Sequence, residues 1–249
     1  MNADRHLAYR LYCNRNRDAD RAGDGATVGT LPPFTTADRA NLPFIIDHAD
    51  LVELSFARNQ DDVQDLLTAL SELGDRRLGV VVKVETAQAF QHLPAILMTA
   101  LRRPHTGVMI ARGDLAGECG YDRLAELQEE IPWLCEAAHL PVIWATQVLD
   151  QLARTGRPSR AEITDAAMGV RSECVMLNQG PYILEAVTAL ADILHRMTGH
   201  HDKKNSLLRP LRSWRLAAGE SLRDDDLATP RIDSEPRSTT SPMGKQPRR

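Results

Sequence analysis

Five short, almost continuously apolar runs stand out in the middle of the chain: LVELSF (51–56), GVVVKVE (79–85), GVMIARGD (107–114), PVIWATQ (141–147) and ECVMLNQG (173–180). Such runs suit parallel strands covered on both faces. Helical periods lie between them. Val63, Leu66, Leu67, Leu70 and Leu73 recur at helical spacing in 61–73, with Asp61 or Asp62 as the expected N-cap. Leu124, Leu127, Ile131, Leu134 and Cys135 do the same in 122–138, where Pro132 predicts a kink or restart. In 181–197, Ile183, Val187, Leu190 and Leu194 mark one face, with Pro181 in the first turn.

The repeat length carries the fold. Lys83 and Asp114 are 31 residues apart, and Asp114 and Thr146 are 32 apart. A (β/α)₈ barrel of ~250 residues spends ~31 residues on each unit. Five such units predict an α/β fold of incomplete TIM-barrel type, with a doubly wound open sheet as the alternative. Polar residues arrive at the end of each run: Ser55, Lys83 with Glu85, Arg112 with Asp114, Thr146 with Gln147, Asn178 with Gln179. In a barrel that rim is the active-site face. A sheet of five strands stays open, because closure needs matched strand number and shear. The runs 51–56 and 173–180 are therefore expected to be its edges.

Charge divides the chain into three parts. Of 30 Lys+Arg and 34 Asp+Glu in 249 residues, positions 201–249 hold 11 and 7, whereas positions 1–200 hold 19 and 27. The tail 199–249 is basic, Pro/Ser-rich and without sustained period. The segment 1–30 is polar and aperiodic, and its GDGATVG stretch does not fit a dinucleotide-binding turn. Both ends are expected to be disordered, since neither offers enough apolar surface to offset ordering entropy. That leaves 31–198 as the folded domain. Acidic residues such as Asp224, Asp225 and Asp226 interrupt the basic tail, and aromatics are 4% of the chain, so nucleic acid is not an expected partner. No apolar run is long enough to span a membrane. The polar N-terminus offers no secretory signal, and Cys13, Cys119, Cys135 and Cys174 form no CxxC pair, so a cytoplasmic location is expected.

An ordered series of motifs narrows the reading. LPPFTTADRANL leads into ADLVELSFARNQDDV; VKVET (82–86) and VMIARGDL (108–115) follow, then PVIWATQVLD (141–150) and RPSRAEITDAA (157–167). From Leu31 to about Met197 the chain resembles pyruvate kinase, in the C-terminal five units of its catalytic barrel. VKVET is similar to the KIEN motif, VMIARGDL to ARGDL, and the last two segments to ATQML and PTRAEVSD. Two departures are visible: Thr86 replaces the Asn of KIEN, and NQGPY (178–182) stands where the family has SGET. The first three units, the lid domain and the C-terminal domain find no counterpart.

The resemblance implies transfer of a phosphoryl group between phosphoenolpyruvate and ADP, giving pyruvate and ATP, as in glycolysis. It implies Mg²⁺ (or Mn²⁺) held by Glu85 and Asp114, and catalysis by Lys83 and Thr146. The substrate would be bound by Lys83, Gly113, Asp114 and Thr146. K⁺ is expected from the family, without a recognised site. Lys83 and Glu85, two apart, share one face of a regular strand, and hard carboxylate oxygens suit magnesium. Each motif alone has a plainer reading: a solvated ion pair for Lys83–Glu85, a helix-entry loop for Arg112–Leu115, a carbonyl partner for the Thr146 hydroxyl. Arg112 reads as a residue that pairs with rim carboxylates, and Arg160 and Glu162 as braces of the loop after 141–147. His48, His92, His105 and His139 lack metal-ligand spacing. Two other readings stay open: a magnesium-dependent aldolase or lyase acting on phosphoenolpyruvate or pyruvate, and a non-catalytic remnant. A truncated chain of low or no activity alone is expected, with another chain covering its open edges.

Overall fold

The computed structural model describes residues 8–11 and 35–201, with side chains described over 35–198. The disorder expected of 1–30 and 199–249 falls, apart from 8–11 and 199–201, outside the described residues. The strands are β1 (Ala8–Leu11), β2 (Leu51–Leu54), β3 (Gly79–Val84), β4 (Thr106–Ala111), β5 (Val142–Val148) and β6 (Cys174–Leu177). They form one sheet in the order β1 to β6, every neighbouring pair parallel. All five expected strands are present in an open α/β sheet. A sixth, β1, lies in the polar N-terminal segment and pairs with β2 from Ala8↔Leu51 to Leu11↔Leu54. The edge expected at 51–56 is therefore covered; four residues of weak pattern gave no periodicity to detect.

The helices are α1 (Thr36–His48), α2 (Gln60–Glu72), α3 (Ala87–Gln91), α4 (Leu93–Ala100), α5 (Arg112–Cys119), α6 (Tyr121–Ala137), α7 (Asp150–Thr155), α8 (Arg160–Met168) and α9 (Ile183–His201). The N-cap of α2 is Asn59, whose side chain accepts from the Asp61 and Asp62 amides at 3.0 and 3.2 Å. Asp62 is instead turned back onto Arg58 and buried. Helix α6 runs through Pro132, which is buried beside Ile131, Leu134 and Cys135. Core packing there outweighs the lost backbone bond, and no restart occurs. On α9 the buried positions are Ala186 and Leu190, while Val187 is half exposed. Ile183, Leu190 and Leu194 of the expected face pack against the core, and only Val187 turns outward.

Alternation along the strands sorts the core. Val80, Val82, Val84, Val108, Ile110, Val142 and Trp144 pack in one large cluster with Leu66, Leu70, Ile96 and Leu127 from the helices. Val81, Met109 and Ala145 form a second cluster on the opposite face of the sheet. Lys83 shares that second face, two residues beyond Val81. At the N-terminal end of the strands, Arg103 fastens the loops with bonds to the Leu78 and Asp75 carbonyls and an ion pair to Asp75 at 2.5 Å, all buried.

Candidate active site

The C-terminal ends of β3, β4 and β5 carry the chemistry, because the apolar runs end there and the chain must turn into a helix. Lys83 near the end of β3 and Glu85 just beyond it are 2% and 0% exposed and form an ion pair. The Lys83 ammonium also donates to Ser55 Oγ at 3.2 Å. Glu85 Oε2 accepts from the Phe56 amide at 2.5 Å, and Phe56 takes a left-handed φ of 54° to present it. The bonds from Lys83 and Glu85 thus tie β3 to the turn after β2. Thr86, at the family's Asn position, accepts from the Ala89 amide at 3.0 Å and caps α3.

After β4 the chain passes directly into α5. Asp114 is therefore in the first turn of a helix rather than at a strand end, and it is partly exposed. A carboxylate there gains from the helix dipole. Ala111, the N-cap, supplies no side-chain bond. The Gly113 amide is satisfied from a different element: it donates to Thr146 Oγ1 at 2.8 Å. Because Val84 pairs with Ile110, Glu85 and Asp114 follow neighbouring strands at the same end of the sheet.

The end of β5 is the most distorted part of the site. Thr146, Gln147 and Leu149 have φ values of 68°, 58° and 48°, and the register with β6 shifts between Trp144 and Val148. A left-handed non-glycine residue costs of order 1–3 kcal/mol, most for a β-branched one, and persists only where surroundings enforce it. Arg112 does so. Its Nε donates to the Ala145 carbonyl at 2.9 Å and its Nη2 to the Thr146 carbonyl at 2.8 Å. The same guanidinium forms a forked pair with Asp165 on α8 and lies 4.5 Å from the ring centre of buried Trp144. Glu162 closes a capping box with Ser159 and accepts from the Gln151 amide, bracing the loop as expected. Asn178 reaches Asp150 Oδ1 at 2.7 Å.

A cavity of about 330 Å³ opens here, lined by Gly113, Thr146, Gln147, Arg112, Glu162 and Asp165 among others. Gly113 and Thr146 face it. Lys83, Glu85 and Asp114 do not line it, so the structure groups the candidates as two pairs, a sealed Lys83–Glu85 and an open Gly113–Thr146, with Asp114 in the first turn of α5 outside the cavity lining. Among the described residues no three His, Cys, Asp or Glu side chains gather as a metal cluster. Sequence reasoning left Asp165 unassigned although RAEITD contains it; its partner is 53 residues away, and no local spacing shows such a pair. His48 and His92 bond carbonyls of their own helical turns, consistent with their non-ligand reading.

Comparison with known proteins shows the family. The family described as pyruvate kinase, barrel domain, matches residues 23–187. The chain belongs to the pyruvate kinase family. The pyruvate kinase of Clostridium acetobutylicum is 34% identical over 170 residues, covering 66% of this chain and 35% of that protein. That of Dictyostelium discoideum is 35% identical over 176 residues, covering 68% and 33%. The crystal structure of a pyruvate kinase from Cryptosporidium parvum superposes with a TM-score of 0.62 at 28% identity, over 68% of this chain and 36% of that one. The chain spans about a third of the length of these relatives.

Proposed function

We propose that this chain carries the phosphoenolpyruvate–magnesium part of a pyruvate kinase site, with low or no phosphotransfer by itself. The observation that carries the reading is the convergence of Lys83–Glu85, Asp114 and Gly113–Thr146 on the C-terminal ends of three adjacent parallel strands. Phosphoryl transfer is catalysed mainly by positioning and by neutralising charge on the transferred group. Magnesium binds through one or two carboxylates plus substrate oxygens, and Glu85 with Asp114 is a donor set of that kind. Bound there, it would neutralise phosphate charge. We assign Lys83 the stabilisation of the transferred group, which requires it to leave its sealed pair with Glu85, and the Gly113 amide and Thr146 hydroxyl the binding of a carboxylate. Pyruvate, ADP and ATP are the other proposed ligands; K⁺ is carried over from the family alone.

Low turnover is proposed because the described sheet is open and Lys83 is sealed against Glu85. Each missing electrostatic contact to a transferring group costs about 10²–10³ in rate. The open edges point to a second chain as partner. The cytoplasm is the proposed location, where the free thiols Cys119, Cys135 and Cys174 persist. Two measurements test this. Purified chain with phosphoenolpyruvate, ADP and magnesium, coupled to lactate dehydrogenase, should show background turnover. Calorimetry should show magnesium-dependent phosphoenolpyruvate binding that Asp114→Ala abolishes. Equal binding by wild type and variant would overturn the site; appreciable turnover lost in Lys83→Met would overturn the low-activity reading.

A further inference from the structure

Thr146 sits in a backbone conformation it would not adopt unaided, next to Gln147 and Leu149 in the same region. Such a segment needs neighbours that over-determine it. Two contacts meet the residue itself: the Gly113 amide on its hydroxyl and Arg112 on its carbonyl. Both come from the first turn of α5, so the placing of Arg112 and the placing of the Thr146 hydroxyl are one event. Arg112 is in turn held by stacking on Trp144 and by the fork to Asp165. The chain of contacts runs Asp165, Arg112, Thr146, Gly113 without a gap.

We propose that Asp165 is a positioning residue for Thr146: by fixing the Arg112 guanidinium it locks the β5 end in its left-handed turn and so sets where the Thr146 hydroxyl and the Gly113 amide meet a ligand. Asp165 lines the same cavity and acts on Thr146 through Arg112. The geometry explains why a carboxylate is required on α8. Arg112 makes two bonds to carbonyls, which leaves the outer edge of its fork to a planar, doubly accepting partner. Lysine has the charge without the fork and would not bridge the same groups.

The functional consequence rests on the reading that Thr146 binds substrate carboxylate, and the test separates the two. Amide hydrogen exchange in the full-length chain reports the Gly113–Thr146 bond without any ligand. Asp165→Asn should accelerate exchange of the Gly113 amide at least tenfold while Val82 and Ile110 in the core keep their wild-type rates. Arg112→Lys should do the same, and serves if the Asp165 variant does not fold. Unchanged Gly113 exchange in both variants would overturn the inference. Calorimetry with phosphoenolpyruvate and magnesium gives the second arm. Asp165→Asn should weaken binding about tenfold in the wild-type and Thr146→Ser backgrounds and less than twofold in Thr146→Ala, because residues acting through one another are not additive. Equal weakening in all three backgrounds would also overturn it. Absence of wild-type binding with accelerated Gly113 exchange would remove the proposed substrate site and leave the positioning intact.

Discussion

Replacing Lys83 by methionine separates a sealed ion pair from a solvated one. Lys83 and Glu85 are 2% and 0% exposed, and the ammonium has Ser55 Oγ as a further partner. Methionine matches the length of the stem and keeps the packing, so the perturbation is the loss of charge. Removing one member of a buried pair leaves an uncompensated charge at a cost of about 3–5 kcal/mol. Glu85 keeps the 2.5 Å bond from the Phe56 amide, which places the expected loss near the lower end, about 3 kcal/mol.

Urea unfolding followed by tryptophan fluorescence, to which buried Trp144 contributes, measures it. With a slope near 2 kcal/mol per molar, 3 kcal/mol moves the midpoint down by about 1.5 M. Adding Glu85→Gln removes the stranded charge and retains an acceptor for Phe56, and should restore more than half of the loss. A midpoint within about 0.3 M of wild type, or a double variant no better than the single, would show that the pair is solvated.

Two further expectations concern other parts of the chain. Burial pushes the Cys135 thiol up to about 12, with Glu173 adding to it. The folded state therefore favours the neutral thiol: its contribution is complete below the unfolded value near 9.0 and is lost as pH rises toward 12, by up to about 4 kcal/mol. Urea midpoints at pH 7.5 and 10.5 should fall less in Cys135→Ala than in wild type, and equal slopes would refute the assignment. At Gly180, an added Cβ would lie 2.1 Å from the Ala153 carbonyl oxygen, in a loop whose Tyr182 amide bonds that same oxygen at 3.0 Å. Gly180→Ala should cost about 1–3 kcal/mol by overpacking, read as a drop in thermal midpoint; an unchanged midpoint would refute the close approach.

The strands were legible because each is apolar on both faces and ends in polar residues, a pattern that parallel packing imposes locally. Their exact ends were less so. GVMIARGD reads as one run, but the helix begins at Arg112, since the first turn of α5 is closed by a Thr146 hydroxyl 33 residues away. Strand β1 escaped because four residues from a polar segment acquire strand character only by pairing with β2. The caps follow the same rule: Asn59 displaced Asp61 and Asp62 because Asp62 is drawn to Arg58. Of the site, Lys83 with Glu85 showed as an i,i+2 pair on one strand face. Asp165 did not show, because its role depends on a guanidinium supplied from another unit.

The two ends of the sheet use similar chemistry to different ends. Arg103 and Asp75 form a buried pair before β3 and β4, and Arg103 spends its other donors on the Leu78 and Asp75 carbonyls. The guanidinium there is satisfied by Asp75 and by loop carbonyls. Arg112 and Asp165 form the counterpart beyond β4 and β5, but the carbonyls Arg112 holds belong to residues at and beside a left-handed turn, and the pair lines a cavity. A guanidinium that only joined elements would need no strained partner. In a parallel α/β sheet stability concentrates at the N-terminal ends of the strands and ligand chemistry at the C-terminal ends. His105, two residues beyond Arg103, is left-handed as well, with φ 62°; what sets the C-terminal end apart is that Arg112 bonds the carbonyl of the left-handed residue itself, Thr146, beside the cavity that Thr146 lines.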